Sequence, residues 1–185
     1  MQEIKRGSII FLLLTVLTGL AYPLFITGAA QLIWSHQANG SLIKKNGHVV
    51  GSKLIGQMFS SPKYFHGRPS SVDYKGSVSG ASNLGPTSKK LFQETQKQIN
   101  KVREENLLPD DSPLPADLVL SSGSGLDPHI SKEAALLQAP RIARERNISL
   151  EKVQELIHKN IELPQLKIFG QPRINVLMLN LDLDW

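Results

Sequence analysis

The stretch Ile9-Ile10-Phe11-Leu12-Leu13-Leu14-Thr15-Val16-Leu17-Thr18-Gly19-Leu20 sits inside residues 7–43, which contain no Asp, Glu, Lys or Arg. About 20 apolar residues, each rising 1.5 Å along a helix, cross the hydrocarbon core of a bilayer. Residues 8–34 therefore suffice for a transmembrane helix, with room for tilt or for a kink at Pro23. Tyr22 and Trp34 are the candidates for interfacial positions. A cleaved signal peptide is the competing reading, with Lys5-Arg6 as its basic end and Gly28-Ala29-Ala30 as its processing site. The apolar run exceeds a typical signal core of about 7–15 residues, so a retained anchor is expected.

Orientation is less directly encoded. Lys5 and Arg6 favour a cytoplasmic N-terminus, whereas Lys44 and Lys45 pull the other way. Long domains translocate largely regardless of their charge. The expected organisation is a short cytoplasmic N-terminus at 1–7, a transmembrane helix at 8–34 and a single extracytoplasmic domain at 35–185. That places the chain in the cell (inner) membrane as a single-pass protein.

The part beyond the helix has the size of one ordinary domain. With 41% hydrophobic and 20% charged residues the whole chain is not disordered by composition, and its 14 Gly and 11 Pro argue for many turns. The absence of cysteine excludes disulfides, thiol catalysis and cysteine-based metal sites. A net charge of +5 invites anionic partners. The excess is local, however: Lys44, Lys45, Lys53, Lys63, Arg68 and Lys75 stand against Asp73 alone, and the rest is near neutral. With only 6% aromatics there is no basic, aromatic-interleaved stripe, so nucleic acid is not an expected partner. Membrane lipid is.

The pattern predicts an α+β (mixed α/β) domain with a small mixed sheet and about three helices. Asn46-Gly47 between β-branched runs reads as a hairpin turn. Leu54-Ile55-Gly56-Gln57-Met58-Phe59 fits either a strand or a short helix, and Pro62, Tyr64, Phe65 and Pro69 mark an irregular connection. Pro86 suits the first turn of a helix running to about Asn106, with Leu91, Phe92, Thr95, Ile99 and Val102 as its apolar face. Asp117-Leu118-Val119-Leu120-Ser121 has strand composition. Ser131 and Ser149 announce two more helices, the first expected to bend or break at Pro140 and to stop at Asn147. Residues 173–185, apolar at both parities and then at one, read as a strand in the sheet interior.

Chemistry is sparse. Ser121-Ser122-Gly123-Ser124-Gly125-Leu126-Asp127 offers small residues whose amides can converge on a phosphate, making Ser122, Gly123, Ser124 and Gly125 weak nucleotide-site candidates. The segment lacks the Walker lysine and the G-x-G-x-x-G spacing, so a tight structural turn is favoured. Asp127, His129 and Ser131 look only superficially like a hydrolytic set, since triads converge from distant segments. A local network of turn hydrogen bonds is the expected role. Arg141, Arg144 and Arg146 are expected on a solvated helix face. No histidine pair has metal-ligand spacing, and no catalytic residue or metal ligand is expected.

Taken in order, these blocks resemble the C subunit of the Kdp potassium-transporting P-type ATPase of prokaryotes. The matching stretches are Gly51-Ser52-Lys53-Leu54-Ile55-Gly56-Gln57, Tyr64-Phe65, Arg68-Pro69-Ser70 and Ser82-Asn83-Leu84-Gly85-Pro86-Thr87. The strongest is Ser122-Gly123-Ser124-Gly125-Leu126-Asp127-Pro128-His129-Ile130-Ser131, followed by Ala134-Ala135, Gln138 and Arg141. Pro172-Arg173-Ile174-Asn175-Val176-Leu177 with Leu179-Asn180-Leu181 completes the resemblance. Departures are Ala81 in place of Gly, Lys132 in place of Pro, and the tail Asp182-Leu183-Asp184-Trp185. The resemblance implies a non-catalytic accessory subunit of an ATP-driven high-affinity potassium uptake pump. Its implied partners are a potassium-conducting A subunit, an ATP-hydrolysing B subunit and a small F subunit. It also implies a catalytic-chaperone role that raises the ATP affinity of the B subunit, with no cofactor of its own and ATP met only through that partner. An extracytoplasmic domain cannot touch cytosolic ATP, so either the orientation is the reverse or the effect is indirect, through the membrane helices. The alternative is a membrane-anchored extracytoplasmic binding module unrelated to a pump.

Overall fold

The computed structural model describes residues 1–184, and they divide into two units, Met1–Leu42 and the part beginning at Ile43. In the first unit, Gln2–Ile33 is one continuous helix of 32 residues, long and apolar enough to cross a membrane. It comprises α1 (Gln2–Val16), a π-helical turn (Leu17–Ala21) and α2 (Tyr22–Ile33). The π turn has a local cause. Pro23 lacks an amide hydrogen and its ring collides with the carbonyl four residues earlier, that of Gly19. Widening the preceding turn relieves that collision without breaking the helix. At Trp34 the backbone leaves helical geometry (φ −132°), and the short α3 (Ser35–Ala38) follows.

The expected hairpin, β1 (Leu42–Lys45) and β2 (His48–Ser52), follows at the start of the second unit, its first residue being the last of the first unit. Asn46 (φ 52°) and Gly47 (φ 82°) supply the two left-handed residues of its turn. Residues 53–88 then form neither helix nor strand, which resolves the ambiguity at residues 54–59 in favour of irregular chain. After them come α4 (Lys89–Asn106), α5 (Ala116–Val119), β3 (His129–Ile130), α6 (Lys132–Arg146), α7 (Leu150–Lys159), β4 (Ile161–Glu162), β5 (Arg173–Asn175) and α8 (Val176–Leu183).

Four helix starts share one device. The Oγ atoms of Ser88, Ser131 and Ser149 accept hydrogen bonds from the amides of Leu91, Ala134 and Lys152, and Asn175 Oδ1 accepts from Met178. Leu107 and Asn147, both left-handed, end α4 and α6. Of the apolar face expected on α4, Val102 is buried, Leu91, Thr95 and Ile99 are half-buried, and Phe92 is exposed.

Several expectations need correction. Pro86 lies in a turn before α4, because Ser88 takes the capping position. Asp117-Leu118-Val119-Leu120-Ser121 is not a strand: Pro115 (φ −59°) leads into the helical turn α5, which buries Leu118. The Asp117 carboxylate then accepts the Ser131 amide at 2.6 Å, a tertiary bond that overrides local β preference. Pro140 does not break α6: it lies on the exposed side, and the helix runs through it to Arg146. The closing strand ends at Asn175, where the asparagine cap starts α8. Apolar residues at both parities also supply spacings of three and four, Val176 to Leu179 and Leu177 to Leu181, so that pattern fits a helix equally. Trp185, the last residue of the expected strand, lies outside the described residues.

The sheet order is β3-β5-β4, with β5 central as expected; both pairings are antiparallel, where a mixed sheet was anticipated. Three longer helices match the expectation, and α5 and α8 add to them. α6 is the hub, packing against α4, α7 and β5. Its Ala134, Ala135, Ala139 and Ala143 let those neighbours approach closely, and Phe65, Ile142, Val153, Ile157, Ile174 and Leu179 complete the core around them.

Candidate functional site

Irregular chain buried next to a core must find partners for its amides and carbonyls. Residues 59–66 do so through three buried side chains. Arg141, only 1% exposed, donates from Nε to Asn106 Oδ1 (3.0 Å), from one terminal nitrogen to the carbonyls of Pro62 and Tyr64, and from the other to Gln138 Oε1 (2.9 Å). Gln138 Oε1 also accepts the His66 amide, while its Nε2 donates to the His66 carbonyl. Asn180 brackets the buried Phe65 in the same way, accepting from its amide at 2.8 Å and donating to its carbonyl at 2.9 Å. Burial pulls the Arg141 pKa down, and the nearby Glu105 and Glu145 carboxylates oppose that. Arg141 is therefore not on a solvated face, although Arg144 is exposed. Arg146 closes the outer end of the same loop: it donates to the Lys63 and Leu183 carbonyls and to Asp184, and lies 4.8 Å above the Tyr64 ring.

Ser122, Gly123, Ser124 and Gly125 come together with residues 56–80 rather than around an open cradle. Ser124 O accepts from the Gly80 amide (2.8 Å) and from Ser79 Oγ, Gly125 O accepts from Ser70 Oγ (2.6 Å), and Leu126 O accepts from the Gly56 amide (2.8 Å). The amides of Gly125 and Leu126 are also used inside the loop, donating to Ser122 O and Ser124 Oγ. Ser122 and Gly125 are buried, whereas Gly123 and Ser124 are exposed. This is the geometry of a junction between two irregular segments.

Asp127, His129 and Ser131 behave as turn residues. Asp127 Oδ1 accepts the His129 amide, and Ser131 Oγ caps α6 while donating to Asp117 Oδ1 at 3.2 Å. His129 faces Asp127 and Glu162, at 3.4 and 3.5 Å, and not a nucleophile. The ion pairs continue from there. Arg68 pairs with Asp127 at 3.1 Å, and Glu162 with Lys53 at 2.8 Å and Arg173 at 3.3 Å. Burial alone would raise the pKa of Asp127, but hydrogen bonds from His129 and the Arg68 guanidinium outweigh it and hold the carboxyl below its ordinary value. Burial likewise acts upward on Glu162, and Lys53, Arg173 and His129 bring it down. Depressed carboxylates stabilise the fold above their unfolded pKa values, about 3.9–4.3, and lose that contribution as pH falls toward the folded values. The thermal midpoint of the full chain in mild detergent should hold between about pH 8 and 5 and fall below about pH 4. In Asp127→Asn the midpoint should be lower near neutrality and less acid-sensitive; an unchanged acid limb would contradict the role given to Asp127.

Two clefts flank Arg68. One, about 500 Å³, lies beside α4 between Phe59, His66, Tyr74 and Glu105. The other, about 930 Å³, is lined by Asp117, Asp127, His129, Ser131 and Arg173. Neither assembles a nucleophile with its base, and no cluster among the described residues has the makings of a metal site. The residues that sequence reasoning missed are Gln138, Arg141 and Asn180. All three stand in stretches that carry the family resemblance, but nothing local shows the backbone groups of residues 62–66 that they bind.

Comparison with known proteins shows the family. The model of the family described as "KdpC: K+-transporting ATPase, c chain" matches residues 4–185. A potassium-transporting ATPase KdpC subunit of Bradyrhizobium diazoefficiens is 46% identical, over 100% of this chain and 97% of its own length. That of Caldanaerobacter subterraneus is 48% identical, over 98% and 94%. That of Mycobacterium tuberculosis is 48% identical, over 99% and 98%. With an apolar helix at its start, a junction built from residues 122–131 and a match along nearly its whole length, the chain belongs to the KdpC family of K+-transporting ATPase subunits.

Proposed function

We propose that this chain is a non-catalytic accessory subunit, anchored by one helix, that stabilises a potassium pump and assists its ATP-hydrolysing partner from outside the cytoplasm. The observation that carries this reading is that the polar groups most suggestive of chemistry are engaged in holding the fold. Ser131 caps a helix, Asp127 holds Arg68 and His129, and the carbonyls of residues 124–126 bind residues 56–80. A single helix also cannot enclose a hydrated ion path. The potassium-conducting, ATP-hydrolysing and small stabilising subunits are the partners this reading requires. Any gain in ATP affinity then reaches the hydrolysing subunit through equilibria of the assembly, and ATP does not bind at Ser122, Gly123, Ser124 or Gly125. Gly19 and Gly28, beside which a Cβ would meet nothing within 4 Å, give partner helices room for close approach.

Topology provides the test. The natural chain has no cysteine, so Asp111→Cys, at an exposed position, supplies one reporter. Impermeant maleimide should label it in intact spheroplasts. Labelling only after lysis would place the domain inside and return the loop at residues 122–125 to consideration as a nucleotide contact.

A further inference from the structure

The sequence holds two Asn-Gly pairs, Asn39-Gly40 and Asn46-Gly47. Asparagine is among the thermolabile side chains, and its weakest setting is before glycine, where no β-carbon shields the next amide nitrogen. That nitrogen can attack the asparagine side-chain carbonyl carbon and close a five-membered imide. In a folded chain the outcome depends on how the side chain and the nitrogen are held, and the two pairs differ in both.

Asn39 is held. Its Nδ2 donates to the Ser35 carbonyl (2.6 Å) and to Gln31 Oε1 (3.0 Å), and its Oδ1 accepts from Gln31 Nε2 (3.3 Å). The Gly40 amide donates to the Gln37 carbonyl at 3.0 Å, so the attacking nitrogen is engaged as well. Asn46 is exposed, as are Gly47 and His48 beside it. Among the described residues, neither the Asn46 side chain nor the Gly47 amide has a hydrogen-bond partner. The attack requires Asn46 to leave its left-handed turn geometry (φ 52°). That opening is inexpensive, because β1 and β2 form a sheet of only two strands and a lone hairpin is marginally stable in water.

We infer that Asn46 is a site of spontaneous modification, converting to aspartate and isoaspartate while Asn39 is protected. The Gly47 nitrogen forms a bond to Asn46 Cγ, the bond from Cγ to Nδ2 breaks, and ammonia leaves with the proton that the Gly47 nitrogen gives up. Water then opens the imide. Addition at Cγ gives an aspartyl residue. Addition at the main-chain carbonyl carbon of residue 46 gives isoaspartate, whose backbone runs through Cβ. No electrons are transferred: water is consumed and ammonia is released. Both products put a carboxylate on a turn that follows Lys44 and Lys45, and the iso form also lengthens a turn that two residues fit.

The test is peptide mapping by mass spectrometry of the full chain, held in mild detergent in a warm, mildly alkaline buffer and compared with an unincubated sample. Trypsin cuts after Lys44 and Lys45 and so puts the two asparagines in different peptides. The peptide of residues 46–53 should take on the mass of the acid as two chromatographically separate isomers, while the peptide carrying Asn39 keeps its amide severalfold longer. In denaturant both should convert at similar rates, because unfolding removes the bonds that protect Asn39. If Asn46 kept its amide in the native chain while both converted in denaturant, the inference would be overturned. Equal conversion in the native chain, or an Asn39 that stays inert even in denaturant, would show that these hydrogen bonds do not distinguish the pairs and would overturn it as well.

Discussion

Replacing Arg141 with alanine is expected to destabilise the second unit by about 3–5 kcal/mol, the range found when one partner of a buried charged network is removed. The guanidinium satisfies the carbonyls of Pro62 and Tyr64, Asn106 Oδ1 and Gln138 Oε1. Each buried acceptor left without a donor costs about 1–3 kcal/mol, partly offset by no longer burying a charge. Against a total stability of about 5–15 kcal/mol this is a large fraction. The thermal midpoint of the full chain in mild detergent should drop by roughly 10–20 °C. Arg141→Lys, with one nitrogen in place of a planar fork, should recover only part of the loss. If Arg141→Ala shifted the midpoint by less than about 3 °C, the buried clamp would not be what holds residues 59–66 in place.

The second large effect is expected at Gly125. Its φ of +67° suits glycine, and a Cβ there would come within 2.7 Å of Val72 Cγ2 and 2.8 Å of the Gly80 carbonyl. That carbonyl is fixed by Ser71 Oγ, and the Gly80 amide is bound to Ser124, so neither side of the contact yields easily. Gly125→Ala should therefore cost about 2–4 kcal/mol, the left-handed penalty added to displacement of a packed loop. Two residues away, Gly123 has a permissive φ and nothing within 4 Å of the added carbon. Gly123→Ala should change stability by less than about 0.5 kcal/mol. Chemical denaturation of the two variants separates the readings of this loop. A junction makes only Gly125 sensitive, whereas a phosphate cradle would make Gly123→Ala abolish a nucleotide effect without unfolding anything.

What could be read from the sequence follows from where the deciding forces act. The long apolar helix, the Asn46-Gly47 turn and the serine caps of α6 and α7 depend on neighbours within a few residues, and local pattern exposes them; at α4 the proline two residues earlier drew the helix start away from Ser88. Residues 117–121 depart from the expected strand because a distant group decides them, and residues 176–183 because an ambiguous apolar pattern meets the Asn175 cap and a distant partner. Asp117 is recruited by Ser131, fourteen residues on, and Asn180 by Phe65, on a loop with no periodicity. Arg141 was assigned to solvent for the same reason, since nothing within its helix shows that carbonyls from residues 62 and 64 converge on it. The segment at residues 122–131 was recognised as the strongest point of resemblance, and its role as a packing junction appears only with the carbonyl partners from residues 56–80 on view.

The central claim, that this chain contributes to a pump without catalysing, is tested most directly by potassium-stimulated ATP hydrolysis in reconstituted membranes. The account predicts no hydrolysis by the full chain alone, loss of stimulated hydrolysis in the pump prepared without it, and recovery on adding it back. Hydrolysis by the chain alone, or undiminished activity in its absence, would contradict it.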